Sequence, residues 1–286
     1  MPTHEILRRF YARLVTSQPG APDPRLVEAF AAVEREHFVG PGPWQIPAAV
    51  DGGYMDSGTA DPAILYQDIN VGLIPALGIN NGQPSLHGRC LAACAPQRGE
   101  TVVQVGAGTG YYTAILAHLV ESTGHVHAYE LHPELAARAA HKLAPYRNVT
   151  VVAASGVDAA MPATDVIYVC AGMTHLPPKW LDTLAIGGRL VAPLTSTEGP
   201  GLLLLVTRRS TTAYEASYIS PAYFVPCAGA RDEAESQALT TALRSRSPED
   251  IRSLRRGTAP DATAWCVWTG WWLSTATDTS ASGSEA

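Results

Sequence analysis

The sequence predicts an α/β fold: a doubly wound, mostly parallel sheet with helices on both faces, N-terminal helices and a C-terminal extension. Short β-branched runs alternate with helical segments after Gly99, and a glycine-rich turn joins the first of these strands to its helix. Hydrophobic residues make up 46% and charged residues 16% of the 286 residues. This composition can fill a buried core and differs from that of a disordered chain.

Residues 1–82 are predicted to form N-terminal helices followed by a substrate loop. Residues 5–17 and 24–36 have the apolar spacing of amphipathic helices. Residues 39–82 are rich in glycine, proline, aspartate and asparagine and show little periodicity. A loop of this length in a compact domain is usually functional or ordered by a ligand.

Residues 83–210 are predicted to form the core of the fold. Predicted helices cover 84–95, 111–121, 133–146 and 177–188, and predicted strands cover 101–108, 125–131, 148–155, 163–172, 189–196 and 201–209. The last two strands follow each other without a helix, so an antiparallel edge is expected.

Residues 211–273 are less regular and are predicted to form a C-terminal extension. The extension ends in the aromatic run from Trp265 to Trp272, which suits either core packing or the wall of a peptide-binding site. Residues 274–286 are small and polar, and they are predicted to be a disordered tail.

Charge and composition exclude several classes of partner. The chain has 20 basic and 26 acidic residues, a net charge of −6, and only two lysines, Lys142 and Lys179. This balance argues against nucleic-acid binding, and no stretch approaches the ~20 apolar residues of a membrane span.

Five scattered cysteines and the lack of a signal-peptide pattern favour a cytoplasmic location. No histidine or cysteine spacing predicts a metal site, and the oligomeric state stays open.

The glycine-rich turn carries the strongest chemical signal. It reads Gly106-Ala107-Gly108-Thr109-Gly110, and Glu130 ends the next predicted strand, twenty residues past Gly110. The dinucleotide-binding motif GxGxxG, counted from Gly106, requires glycine at position 111, where this chain has Tyr111. A P-loop requires a lysine after its last glycine, and this chain has none there. The GxGxG form with an acid at the end of the next strand is typical of S-adenosyl-L-methionine sites, because both carboxylate oxygens can accept ribose hydroxyls. The alternative is a tight turn without a ligand.

Three segments on both sides of this turn resemble protein-L-isoaspartate (D-aspartate) O-methyltransferases. They are LVEAFAAVEREHFV, INNGQPSLHGRCLAACAPQRGETVVQVGAGTGYYTAILAHL and TDVIYVCAGMTHLPPKWLDTLAIGGRLVAPL, and the resemblance covers roughly residues 24–210. It implies the Rossmann-like fold of class I S-adenosyl-L-methionine-dependent methyltransferases. It also implies a carboxyl O-methyltransferase whose partner is a peptide or protein substrate bearing a carboxylate.

The resemblance also implies a set of cofactor-binding residues. The matching positions are the glycine-rich turn, Glu130 with the adjacent Leu131, and the pair Ser155 and Gly156. Many family members carry Gly-Asp-Gly where this chain has Ala154-Ser155-Gly156, so the acid that faces the adenine amino group is missing. Either Ser155 substitutes for it or Asp158 reaches the same place. Cys170 either lines the cofactor pocket or is a small buried residue.

The substrate loop departs from the family pattern of Thr-Ile-Ser before a proline. This chain reads Asn80-Asn81-Gly82-Gln83-Pro84, so Gly82 replaces the family serine. Methylation of an ionised carboxylate requires alignment and exclusion of water more than acid–base catalysis. Uncharged donors suit that task, so Asn80, Asn81 and the backbone at Gly82 are predicted to be catalytic, with Gln83 binding substrate. The alternative is a set of ordinary turn residues.

Two more residues are candidate substrate ligands. Asp68 either binds a substrate amide or cation or caps a turn, and His175 is either a base for a hydroxyl or amine acceptor or a surface histidine. The leading prediction is O-methylation of an Asp or isoAsp carboxylate, in general repair or in one dedicated modified peptide. The alternatives are a small-molecule methyltransferase of secondary metabolism and a non-catalytic S-adenosyl-L-methionine-binding protein.

Overall fold

The computed structural model describes residues 4–17, 23–48 and 52–278. The chain divides into two compact units, one of Met1–Glu100 with Gly106–Ala154 and one of Thr101–Val105 with Ser155–Ala286. The predicted core, residues 83–210, contributes residues to both units. The predicted C-terminal extension, residues 211–273, belongs to the second unit.

The described residues contain eight α-helices, α1–α8, and fourteen strands, β1–β14. In chain order, the helices span His4–Val15, Pro24–Ala32, Arg35–Val39, Pro84–Cys94, Tyr111–Val120, Pro133–Leu143, Pro178–Thr183 and Glu233–Ser245. The strands span Gln45–Pro47, Tyr54–Asp56, Gly72–Ile74, Ile79–Asn80, Thr101–Val105, His125–Tyr129, Val149–Val152, Thr164–Val169, Leu184–Leu194, Gly201–Arg208, Tyr214–Ala222, Ser253–Arg256, Ala264–Trp268 and Trp271–Ser274.

In the first unit, the stretch predicted to be a long loop contains two short hairpins, β1–β2 and β3–β4. A small core of Val39, Trp44, Leu65 and Val71 is buried beneath them. Burial of these dispersed apolar side chains orders a segment whose sequence has no clear period. The same unit holds the parallel pair β6–β7.

In the second unit, eight strands are adjacent in the order β13-β14-β12-β11-β10-β9-β8-β5. The pairs β5–β8 and β8–β9 are parallel, as the alternation of strands and helices predicts. β10 runs antiparallel to β9, and the predicted antiparallel edge therefore exists. The C-terminal extension enlarges this edge, because β11, β12, β14 and β13 continue it with antiparallel pairing.

Several predicted boundaries are wrong, among them the following three. The helix predicted over 177–188 ends at Thr183, because Leu184 already pairs with Thr164 at the start of β9. The helix predicted over 24–36 ends at Ala32, and the extended backbone of the next two residues lets a new helix begin at a buried arginine. The tail predicted from residue 274 starts inside β14, and residues 279–286 lie outside the described residues.

Helices in the described part of the chain are too short or too polar to cross a lipid bilayer. The longest of them, α8, has 13 residues, whereas a bilayer span needs about 20.

Helices α1 and α4 cross at a glycine. A Cβ added to Gly88 of α4 would lie 2.1 Å from the carbonyl oxygen of Val15, the last residue of α1. Gly88, Val15 and the neighbouring Leu91 are all buried. The absence of a side chain at Gly88 therefore allows the backbones of the two helices to approach each other.

We expect Gly88→Ala to lower the free energy of unfolding by about 1–3 kcal/mol, the range found when extra methyl groups are forced into packed cores. Urea denaturation followed by circular dichroism measures this loss. Arg89→Ala, on the exposed side of the same helix, serves as the control and should change stability by less than about 0.5 kcal/mol. Equal stability of Gly88→Ala and the wild type would contradict this view of the crossing.

Candidate functional site

The glycine-rich turn joins β5 to α5 through left-handed backbone. The φ angle is 59° at Gly108 and 98° at Gly110. A Cβ on Gly108 would lie 3.3 Å from Cδ1 of Leu73, and a Cβ on Gly110 would lie 2.7 Å from Cδ1 of Leu143. The left-handed backbone therefore favours glycine at both positions, and the space for a side chain is tight beside Leu73 and Leu143.

Glu130 follows β6 and is hydrogen-bonded to the turn. Its Oε2 accepts the N–H of Gly108 at 2.7 Å and its Oε1 accepts the N–H of His132 at 2.8 Å. The side chain is buried, with 8% exposure. Each carboxylate oxygen retains a second lone pair, so Glu130 can still accept a pair of ribose hydroxyls.

Other atoms of the turn fit a nucleoside ligand. The Oγ1 of Thr109 is buried without a hydrogen-bond partner among the described residues, and Ala107 is buried beside it. No side chain caps the N-terminus of α5, which begins directly after this turn. Leu131, next to Glu130, is 53% exposed and offers an apolar surface. The residues present therefore fit the predicted S-adenosyl-L-methionine.

A buried arginine organises the segment that precedes the substrate loop. Arg35 has no exposed surface. Its guanidinium donates to four acceptors: the carbonyl oxygens of Leu65, Gln67 and Ile69 and Oδ1 of Asn81. These acceptors lie 30 to 46 residues further along the chain than Arg35, so one cation fixes the path of the segment between residues 65 and 81.

The two asparagines of the substrate loop have different surroundings. Asn81 is buried, and its Oδ1 accepts from Arg35 and from the N–H of Val71. Its Nδ2 is buried and has no hydrogen-bond partner among the described residues. Asn80 is half-buried, and its Oδ1 accepts the N–H of Gly82 at 2.8 Å, which forms a turn. The backbone donor predicted at Gly82 is thus used within the loop.

Gly82 faces an imidazole and a phenol. A Cβ added to Gly82 would lie 2.2 Å from Nε2 of His87, and the φ angle of 74° also disfavours a side chain. His87 stacks on Tyr112 with 3.7 Å between ring centroids, and the Tyr112 hydroxyl donates to the Gly82 carbonyl at 3.2 Å. Burial, reinforced by the charge of Arg35, lowers the pKa of His87 to about 3, so its imidazole is neutral.

Asp68 and Gln83 meet at the N-terminus of α4. The carboxylate of Asp68 accepts from Nε2 of Gln83 at 2.9 Å and from the N–H and Oγ of Ser85 at 2.7 and 2.6 Å. The bond from the N–H of Ser85 satisfies a donor in the first turn of α4, so Asp68 caps a helix rather than a turn.

Three predicted cofactor residues lie in the second unit. The Oγ of Ser155 accepts from the N–H groups of Val157 and Asp158. Gly156 packs against β5, since a Cβ there would lie 2.8 Å from Cγ2 of Val105. Cys170 follows β8 and is partly exposed, so it is not the fully buried residue that its small size allows.

His175 is paired with a glutamate from the C-terminal extension. Its Nδ1 lies 2.6 Å from Oε2 of Glu235, and the two side chains are 25% and 17% exposed. The preceding Thr174 accepts the N–H of Asp232 at its hydroxyl and Nε1–H of Trp268 at its carbonyl. The extension therefore fixes the loop after β8 and places a carboxylate beside the imidazole.

Within the first unit, the structure brings the glycine-rich turn and the substrate loop together. Tyr112 lies two residues after Gly110 and bonds to Gly82, while Leu73 of β3 lies over Gly108. Sequence reasoning missed Arg35, His87 and Glu235. The position of Arg35 at the start of the REHFV helix is a weak sequence signal for a structural role. No local sequence pattern identifies His87 or Glu235 as part of the site.

Comparisons with known proteins agree with this geometry. The family model described as protein-L-isoaspartate(D-aspartate) O-methyltransferase matches residues 16–232. A protein-L-isoaspartate O-methyltransferase 2 of Anaeromyxobacter sp. is 32% identical over 229 residues, covering 78% of this chain and 84% of the relative. A protein-L-isoaspartate O-methyltransferase of Protochlamydia amoebophila is 32% identical, covering 73% and 91%.

Two solved structures share the fold. A protein-L-isoaspartate O-methyltransferase superposes with a TM-score of 0.65 at 20% identity, covering 85% of this chain and 70% of that one. A Plasmodium falciparum protein of the same description, in complex with S-adenosyl-L-homocysteine, gives 0.60 at 17% identity, covering 79% and 99%. These similarities confirm the predicted fold class and the resemblance seen in the sequence.

We expect Gly108→Val to abolish binding of S-adenosyl-L-homocysteine. The added side chain would meet Leu73 and would strain the backbone that donates to Glu130. Calorimetric titration measures the affinity. Gly187→Val is the matched control, because that glycine also has a positive φ angle but faces open space. Equal affinity in Gly108→Val and Gly187→Val would show that the turn does not bind this ligand.

We expect His87 to make the protein less stable at acidic pH. A histidine in the unfolded chain titrates near pH 6.5, whereas the pKa of folded His87 is about 3, so the unfolded state binds one more proton between these values. The free energy of unfolding should therefore fall by about 2 kcal/mol between pH 6.5 and about pH 5. Urea denaturation at both pH values measures the change, and His87→Phe should reduce it. An unchanged pH dependence in the variant would disprove this assignment.

Proposed function

The chain belongs to the family of protein-L-isoaspartate (D-aspartate) O-methyltransferases, and we propose that it methylates the carboxylate of an isoaspartyl residue in a peptide or protein. The observation that carries this proposal is the contact between Tyr112 and Gly82. Through it, the turn that fits the methyl donor and the loop that corresponds to the family's substrate loop are joined by one hydrogen bond.

The donor in this proposal is S-adenosyl-L-methionine, which supplies a methyl group on a positively charged sulfur. Glu130 accepts hydrogen bonds from the ribose hydroxyls, and the glycines at 108 and 110 let the ligand approach the backbone. The hydroxyl of Thr109 remains as a donor to its polar groups. We also assign Leu131, Ser155, Gly156 and Cys170 to donor binding, as the family resemblance implies.

The acceptor carboxylate is ionised at neutral pH, so no base is needed. Its oxygen forms the new bond to the methyl carbon while the bond between carbon and sulfur breaks. The protein has to hold that oxygen in line and exclude water. In the substrate loop, Nδ2 of Asn81 is the side-chain amide donor without an acceptor among the described residues, and we assign it to the acceptor. Asn80 shapes the turn at Gly82.

Three further residues belong to the acceptor side in this proposal. Gln83 and Asp68 hold the loop against α4, and either can contact the substrate through the atoms that remain exposed. His175 presents its second ring nitrogen while Glu235 holds the first.

A dedicated peptide substrate is a second version of the same activity. Glu235 and Trp268 lie beyond residue 232, where the family match ends, and both contact the loop after β8. A segment outside the family match that shapes this loop favours a selective enzyme over a general repair enzyme.

The proposal is tested by titrating the protein with S-adenosyl-L-homocysteine and then assaying methyl transfer to an isoaspartyl peptide and to its aspartyl counterpart. We expect Asn81→Asp to lower kcat/KM for the isoaspartyl peptide by about tenfold or more, because a carboxylate removes the Nδ2 donor and repels the acceptor. Oδ1 remains for Arg35 and Val71, so the melting temperature and donor affinity should be retained.

Gln97→Ala, an exposed amide outside the substrate loop, is the control and should leave kcat/KM unchanged. Donor binding without transfer to either peptide would refute isoaspartyl methylation while leaving the donor site intact. Full activity of Asn81→Asp would refute the role of Asn81.

A further inference from the structure

A cleft lies between the segments that follow β9 and β11 in the second unit. Its volume is about 310 Å³, and the lining residues used below are Thr195, Ser196, Thr197, Tyr223 and Arg231. We call it the Arg231 cleft. Thr195 and Ser196 are buried, whereas Tyr223 is 73% exposed at the edge.

The guanidinium of Arg231 is anchored on one side only. Its Nη1 donates to the carbonyl oxygen of Gly172 at 3.1 Å and to the carbonyl and Oγ1 of Thr195 at 3.2 and 3.0 Å. Its Nε and Nη2 make no hydrogen bond within residues 4–17, 23–48 and 52–278, and no carboxylate in those ranges pairs with it. Arg231 is half-buried, so this cation is partly removed from water without a counter-ion.

This arrangement suits a carboxylate ligand. The Nε and Nη2 groups form the edge of the guanidinium that binds both oxygens of a carboxylate in parallel hydrogen bonds. Nη1 is already fixed by Gly172 and Thr195, so the orientation of that edge is set before a ligand arrives. The exposed ring of Tyr223 adds an apolar surface of the kind that packs against peptide chains.

Within the second unit, the cleft lies at the same edge of the sheet as the loop that carries His175, which the proposed function assigns to the acceptor. Gly172 lies shortly after β8, and Thr195 directly follows β9. These are the carboxyl ends of two neighbouring parallel strands, the edge at which such sheets bind ligands. The loop that carries His175 starts at the same edge.

We propose that the Arg231 cleft binds a second carboxylate of the peptide substrate, one that flanks the methylated residue. The carboxylate comes from an acidic side chain or from the peptide C-terminus, since both offer the same pair of oxygens. This inference rests on the proposed function, and it makes the enzyme selective for acidic peptides.

The test uses matched isoaspartyl peptides with an amidated C-terminus that differ by Glu or Gln, placed in turn at each of the three positions on either side of the isoaspartate. A third set carries Gln and a free C-terminus. We expect kcat/KM to be about tenfold higher for at least one peptide with the extra carboxylate. The set that shows the preference identifies the side chain or the C-terminus as its source.

In Arg231→Gln, the ratio of kcat/KM for the preferred peptide and its uncharged partner should fall to about one. Arg231→Lys keeps the charge without the paired donors, and its ratio should lie between those of wild type and Arg231→Gln. Arg209→Gln, an exposed arginine of the same unit that pairs with Glu215, is the control and should keep the wild-type ratio.

The possible failures are distinguishable. If wild type methylates all the peptides with equal kcat/KM, or if Arg231→Gln and Arg231→Lys both keep the preference, the cleft is not a carboxylate site, and the proposed function stands. If wild type methylates none of the peptides, the proposed function and this inference both fall. If both Arg231 variants misfold, the ratio of kcat/KM for the preferred peptide and its uncharged partner is measured for wild type at low and high salt. A ratio that does not fall at high salt contradicts recognition of the extra charge.

Discussion

The fully buried guanidinium of Arg35 is the interaction on which the first unit depends. A cation removed from water must be surrounded by acceptors, and Arg35 obtains them from backbone carbonyls at Leu65, Gln67 and Ile69 and from the side chain of Asn81. The chain between residues 65 and 81 therefore wraps around one side chain instead of forming long regular elements. The positive charge also helps to keep the nearby imidazole of His87 neutral.

Through Asn81, the same cation positions the start of the substrate loop. Gly82 follows directly, and its carbonyl is held by Tyr112, the second residue of the helix that leaves the glycine-rich turn. The donor turn and the substrate loop are consequently parts of one hydrogen-bonded and stacked cluster. The cluster depends on glycine at position 82, because His87 occupies the space where a Cβ would lie.

The second unit shows how a segment beyond the family match can reach a functional edge. Strands β12–β14 extend the antiparallel side of the sheet, and Glu235 and Trp268 contact the loop after β8. Arg231 joins the same loop to the end of β9. Four hydrogen-bonded or ionic contacts, including that of Asp232 with Thr174, thus give the loop a fixed shape that a catalytic core without the extension would lack.

The sequence by itself determined the features that depend on local physics. Alternating periodicity predicts the core strands and helices, and the glycine pattern predicts the turn at 106–110. The predicted helix and strand that follow this turn place Glu130 at the end of the next strand. Only the tertiary structure decided the rest. The end of the helix at Thr183 depends on pairing with β8, and the acceptors of Arg35 and the contact of His87 with Gly82 depend on how separate segments pack. Contacts of this kind produce no periodicity or motif in the sequence. Their partners are distant along the chain and come together through burial and hydrogen bonding in the folded state.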